Sequence, residues 1–181
     1  MQSKKSLCWC GALLLAALLA APALANDTQF KVVASPHGYV ARCSVDAADA
    51  LRRINAARAS GRSCSGRRMP PARLLQWDDA LQSVATGHSR DMARRNYFGH
   101  RSPEGRTVRD RVAGTPYKTR LVGENLAGGD RQLSGAIQGW LESPPHCENL
   151  MNPKYSQVAV ACVGQPGSQW GTYWTMVLGQ R

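Results

Sequence analysis

Residues 158–179 run VAVACVGQPGSQWGTYWTMVLG. Val158, Val160 and Cys162 alternate along one run, Gly171 to Gly179 forms a second run of β-branched and aromatic residues, and Gln165-Pro166-Gly167-Ser168 turns between them. Two such runs joined by a Pro-Gly turn predict a β-hairpin. Everything upstream is mostly helical in pattern, so this hairpin decides between an all-α chain and a mixed one. Leu133, Ala136, Ile137, Trp140 and Leu141 fall at helical spacing, and Pro144-Pro145 stops that helix because proline has no N–H to donate. Leu121 to Ala127 is patterned as a strand bounded by Gly128-Gly129. A short helix is expected over Thr107 to Ala113, ending at Gly114, after a loop over Asn96 to Gly105 that turns at Ser102-Pro103-Glu104-Gly105. Leu81, Val84, Ala85, His88 and Met92 repeat at i, i+3, i+4, i+7 behind a cap at Asp78 or Asp79. Ala47, Leu51, Ile54 and Arg58 mark a first helix, capped by Ser44 or Asp46 and stopping near Gly61. Residues 60–71 are expected to be a polar loop carrying Cys64 and the basic Arg62, Arg67 and Arg68. Helices early and strands late argue an α+β domain layered on a small antiparallel sheet.

The N-terminus predicts the compartment. Lys4 and Lys5 precede an apolar run, Leu13 to Ala21, and Ala23-Leu24-Ala25 has the small-x-small form of a cleavage site. Residues 1–25 are therefore expected to be a signal peptide, residues 26–45 an extended lead-in, and residues 46–181 the folded domain. The apolar run is too short to span a bilayer, so no transmembrane anchor is expected after cleavage. Periplasm and extracellular medium both accept this leader.

Cys8 and Cys10 would leave with it. Cys43, Cys64, Cys147 and Cys162 remain, which implies two disulfides in one of three connectivities. The sequence-local pairs Cys43–Cys64 and Cys147–Cys162 are the expected ones, each closing a loop of about 15 to 25 residues worth ~3 kcal/mol by chain entropy. A Cys147 nucleophile beside His146 is the alternative; adjacent side chains diverge, and such a thiol would have to stay reduced outside the cell. The chain carries a formal charge of +11, mostly arginine scattered from Arg42 to Arg181. That surface attracts anionic polymers or membrane faces in a salt-dependent way. Nucleic acid is not an expected partner, because no binding motif accompanies the charge.

Three motifs carry the chemistry. They are His88-Ser89-Arg90-Asp91-Met92-Ala93 leading into Phe98-Gly99-His100, then Gly123-Glu124-Asn125-Leu126-Ala127, then Trp140-Leu141-Glu142-Ser143-Pro144-Pro145-His146. With Ile54-Asn55-Ala56-Ala57-Arg58 and Leu75-Gln76-Trp77-Asp78 ahead of them, they resemble, in order and spacing, the bacterial branch of the CAP superfamily: cysteine-rich secretory proteins, antigen 5 and pathogenesis-related proteins, also called SCP-like domains. The resemblance covers about Leu51 to Arg181. It implies an α-β-α sandwich with a small antiparallel sheet between helical layers and a shallow cleft where two histidines and an acid meet. Transferred by motif, the ligand-binding residues are His100, Glu124 and His146, with His100 and His146 as ligands for zinc or another divalent cation. Neutral imidazoles suit zinc, and a carboxylate can ligate the metal or take a proton from its water. Animal and plant relatives carry a second Glu three residues after the helix Trp; here Ser143 stands there, with Glu142 one residue earlier and about 100° around the helix, so three cleft residues are carried over rather than four.

Other candidates fall to packing. His88 shares the apolar face of Leu81, Val84 and Met92 and is expected to be a hydrogen-bonded core histidine; His37 carries no signal. Trp77, Trp140 and Trp174 are expected in the core, and Trp170, near the hairpin turn, is where a ring could stack on sugar. The expected function is a secreted, non-enzymatic or weakly enzymatic domain binding a ligand or divalent metal at the cell envelope or outside the cell, the ligand being a lipid or an anionic polymer. Two alternatives stay open: a metal-dependent hydrolase of peptidase or esterase type with Glu124 as general base, and a non-catalytic adhesion module acting through Arg62, Arg67 and Arg68. Ser143 as a nucleophile lacks a recognisable base.

Overall fold

The computed structural model describes residues 43–181; the expected signal peptide and most of the lead-in, with Lys4, Lys5, Cys8, Cys10 and His37, lie outside the described residues. The chain forms helix α1 (Ala47–Ser60), strands β1 (Arg62–Cys64), β2 (Arg67–Met69) and β3 (Gln76–Trp77), helices α2 (Asp79–Arg95) and α3 (Val108–Ala113), strand β4 (Val122–Gly128), helices α4 (Leu133–Glu142) and α5 (Pro144–Met151), and strands β5 (Gln157–Gly164) and β6 (Thr172–Gly179).

The caps are chemical. Asp46 accepts from the Asp49 N–H to start α1, and Asp78 accepts from the Leu81 N–H to start α2. Thr107 and Asp110 form a reciprocal capping box on α3.

The hairpin β5–β6 is the centre of a four-stranded sheet in the order β3-β5-β6-β4. Its two faces are read off by alternation. Val158, Val160, Cys162, Trp174, Met176 and Leu178 pack with Ile54, Trp140 and Leu150 beneath α1, α4 and α5. Ala159, Ala161 and Val177 face the opposite way onto Leu81, Val84 and Ala85 of α2 and Val112 of α3. Both faces are covered, so the architecture is an α-β-α sandwich. The small side chains at 159 and 161 fall on the α2 side, where Ser89 on the helix also donates to Thr175 Oγ1 at 2.8 Å.

Four details differ from expectation. The polar loop at 60–71 contains the β1–β2 hairpin, turned at Ser65 and Gly66, both with positive φ. Pro144-Pro145 ends α4 but also begins α5, since a missing N–H and a fixed φ suit the first turn of a helix. The sheet is not wholly antiparallel: β3 pairs parallel with β5. The disulfides are Cys43–Cys162 and Cys64–Cys147, with Cα separations of 5.4 and 5.7 Å, so the sequence-local pairing is wrong. The reason is geometric. All 14 residues of α1 lie between Cys43 and Cys64; the helix is about 20 Å long and carries the chain away from Cys43, which lies against Cys162 of β5, to Cys64, which lies against Cys147 of α5. Cys147 is consequently not a free thiol.

Candidate functional site

The predicted site residues meet along β4, an edge strand of the sheet. An edge strand between two helical layers presents successive side chains to opposite layers. Glu124 pairs in register with Val177 and faces the α2–α3 layer, whereas Asn125 pairs with Met176 and faces α5. The groove between the layers has a volume of about 620 Å³ and is walled by His100, Thr107 and Val108 on one side and by His146, Asn149 and Tyr155 on the other.

Glu124 is the hub. Its side chain is only 2 % exposed, and its Oε1 accepts from His100 Nδ1 at 2.8 Å while its Oε2 accepts from Arg111 Nη2 at 2.6 Å. His88 Nε2 lies 3.9 Å from the same Oε1 and donates to the Gly99 carbonyl at 3.0 Å. The guanidinium of Arg111 also donates to the His100 and Arg106 carbonyls, tying the loop after α2 to α3. Both carboxylate oxygens thus accept from a charge-capable donor, one from each side of the network.

His100 itself is exposed. With Nδ1–H committed to Glu124, Nε2 is the nitrogen left for a ligand. His146 lies in the first turn of α5, and Asn125 Nδ2 donates to its carbonyl at 2.9 Å. Asn149 Nδ2 donates in turn to Asn125 Oδ1 at 2.8 Å, and Tyr155 Oη donates to Asn149 Oδ1 at 3.1 Å. Burial, and secondarily the neighbouring His100, hold the His146 pKa below the ordinary histidine value. The floor needs Gly123: a Cβ there would lie 2.3 Å from Tyr155 Oη and 2.6 Å from Asn149 Oδ1.

His100, Glu124 and His146 therefore line one groove, with His100 and Glu124 in direct contact. In residue type, two imidazoles with a carboxylate hydrogen-bonded to one of them match donors that zinc takes. Among the described residues, no group of three or more His, Cys, Asp or Glu side chains is placed to hold a metal. His88 is buried and hydrogen-bonded, as expected, but it is also part of the Glu124 network. Arg111 was not anticipated, although it falls one position before Val112 and three after Val108, on the inward face of α3, where an arginine is anomalous. Asn149 and Tyr155 were not visible because α5 was not anticipated. Ser143 is the residue shared by α4 and α5 and makes no side-chain cap. Trp170 is exposed and pairs with Phe98 at a ring-centroid distance of 5.0 Å.

The model of the cysteine-rich secretory protein family, CAP, matches residues 51–178. Over 98 residues the chain is 36 % identical to the uncharacterized protein YkwD of Bacillus subtilis, covering 53 % of this chain and 37 % of that protein. It is 36 % identical over 86 residues to the uncharacterized membrane protein YlbC of the same bacterium, covering 48 % of this chain and 25 % of that one. The chain thus spans well under half the length of the curated relatives it matches. An extracellular protein from Bacillus anthracis containing an SCP domain superposes with a TM-score of 0.61 at 30 % identity, over 75 % of this chain and 40 % of that one. An outer surface protein of Borrelia burgdorferi superposes with a TM-score of 0.63 over 79 % of this chain and 99 % of its own, and at 20 % identity it shows likeness of fold alone.

Proposed function

The chain belongs to the CAP family of cysteine-rich secretory proteins, and from that premise we propose that it is a secreted binding domain whose groove takes a ligand through His100 and His146, with zinc or a similar divalent cation as the bridging ion. The observation that carries this is the 2.8 Å contact between His100 Nδ1 and Glu124 Oε1, with His146 across the same groove. A carboxylate behind an imidazole fixes its tautomer and raises its basicity at the opposite nitrogen, the usual support for a metal-binding histidine. Arg111 balances the carboxylate charge, and the chain of Tyr155, Asn149 and Asn125 holds the backbone of His146 in place. The ion, when bound, supplies Lewis acidity for gripping an anionic or carbonyl group of the ligand.

Binding is favoured over hydrolysis because Glu124, the residue a hydrolase would use as base, is 2 % exposed and spends its oxygens on His100 and Arg111. Exposed Arg68 and Arg67, the latter paired with Glu148 at 2.8 Å, supply the basic surface by which an anionic envelope polymer is drawn in.

Titration calorimetry with zinc chloride tests the site. One zinc per chain is expected for the wild type and none for a His100→Ala/His146→Ala variant; equal heats from both would reject it.

A further inference from the structure

A second concavity lies on the other side of the Glu124 network. It is a cleft of about 470 Å³ between α2, the loop at 99–106 and α3, within the range of small-molecule sites. Its floor is one stripe of α2, with Gly87, His88, Asp91 and Arg95, and its far wall includes Arg106 and Arg111.

Two observations mark it as a binding site. First, two buried nitrogens on its walls, His88 Nδ1 and Arg111 Nε, have no hydrogen-bond partner among the described residues. Buried polar groups are ordinarily satisfied, and orphans call for a partner outside the chain. His88 is 1 % exposed, so its Nδ1 lies at the inner wall of the cleft rather than at its mouth. Second, the middle of α2 carries a glycine at the cleft floor. A Cβ at Gly87 would meet nothing within 4 Å, so packing does not require glycine there, yet glycine weakens a helix interior. What it does is leave the cleft open.

The orphan atoms also define the ligand. A carbonyl can only accept, so His88 Nε2, bonded to the Gly99 oxygen, carries the ring proton. In the neutral ring Nδ1 is then an acceptor, and burial favours that neutral form. Arg111 Nε–H is a donor. An O–H group, whether of water or of a ligand hydroxyl that replaces it, gives a proton to one and accepts one from the other. Charge balance agrees. Arg95 is paired with Glu104 at 2.5 Å and with Asp91 at 3.5 Å, and Arg111 is paired with Glu124. The acids and guanidiniums largely cancel, and paired donors and acceptors at the rim suit neighbouring hydroxyls.

We propose that this cleft is a second binding site, for a neutral hydroxyl-bearing ligand of sugar size, with His88 Nδ1 accepting from the ligand and Arg111 Nε donating to it. It shares only the Glu124 network with the groove, so occupancy of the cleft engages two of the three side chains that surround the groove's carboxylate.

Nuclear magnetic resonance of the nitrogen-15-labelled protein tests this. The probes are glucose, N-acetylglucosamine and glycerol, with sodium phosphate as the charged comparison. Saturable movement of the Arg111 Nε–H and Gly87 N–H signals is expected with at least one sugar and not with phosphate. His88→Lys keeps a donor for Gly99 and has no acceptor in place of Nδ1; the dissociation constant is expected to rise at least tenfold. Gly87→Leu fills the cleft without touching the groove; sugar binding is expected to vanish while the zinc titration is unchanged. No saturable response to any hydroxylated probe, a stronger response to phosphate, or unaltered sugar binding in Gly87→Leu would each overturn the assignment.

Discussion

A fully buried arginine facing no carboxylate is unusual, and Arg58 is one such residue. Its guanidinium donates to the carbonyls of Arg73, Leu150 and Asn152, so the cation sits on the C-terminal end of α5, where helix carbonyls are unsatisfied and the dipole is negative. Burial, with Arg73 nearby, lowers its pKa to about 10. Arg58→Ala strands those carbonyls and is expected to cost about 3 kcal/mol, read from urea midpoints. His88 makes the corresponding pH prediction. Burial is the largest influence on it and lowers its pKa below the ordinary 6.5; Glu124, the Gly99 carbonyl and Asp91 oppose this, and Arg111 adds to it. The unfolded ring therefore binds a proton in a window below pH 6.5 where the folded ring does not, and stability falls as the pH drops through it. His146 shifts in the same direction. The urea midpoint is expected to be lower at pH 5 than at pH 7, with a smaller loss in His88→Gln; a pH-independent midpoint would refute this. At this scale the sequence was legible where residues stood in motifs, as for His100, Glu124 and His146. Arg111 was not, because what makes it functional is a contact with a strand 13 residues away.

Among the elements, β4 carries the most consequence per residue. Its alternation sends Glu124 to one helical layer and Asn125 to the other, and Gly123 clears the space for Tyr155 and Asn149. Gly123→Ala is expected to cost about 1–3 kcal/mol through overpacking and to weaken zinc binding in the same calorimetric titration, because the displaced side chains hold α5. The principal helices, the hairpin and β4 could be read from periodicity and caps, which are local properties. The short β1 and β3 could not, since strands of two or three residues have too few positions to show alternation, and their existence rests on partners elsewhere in the fold. Helix α5 was hidden by its own first residues: two prolines mark a stop as plainly as a start.

For the whole molecule, the two disulfides join residues 119 and 83 positions apart. Loops of that size constrain the unfolded chain by roughly 4–5 kcal/mol each, more than sequence-local bridges would. Peptide mapping without reduction is expected to recover Cys43 with Cys162 and Cys64 with Cys147, and full reduction to lower the urea midpoint sharply. The pairing was not legible in the sequence, since even without a Cys43–Cys64 bridge two connectivities remain and only the fold chooses between them. The same connectivity orders events during biosynthesis. A chain that is exported N-terminus first delivers Cys43 and Cys64 to the oxidising side ahead of their proper partners. An oxidant acting at that moment can join those two to each other, and that bond must be undone by thiol exchange before the native pairs can form. Yield of the native protein is thereby tied to how well its host reshuffles disulfides.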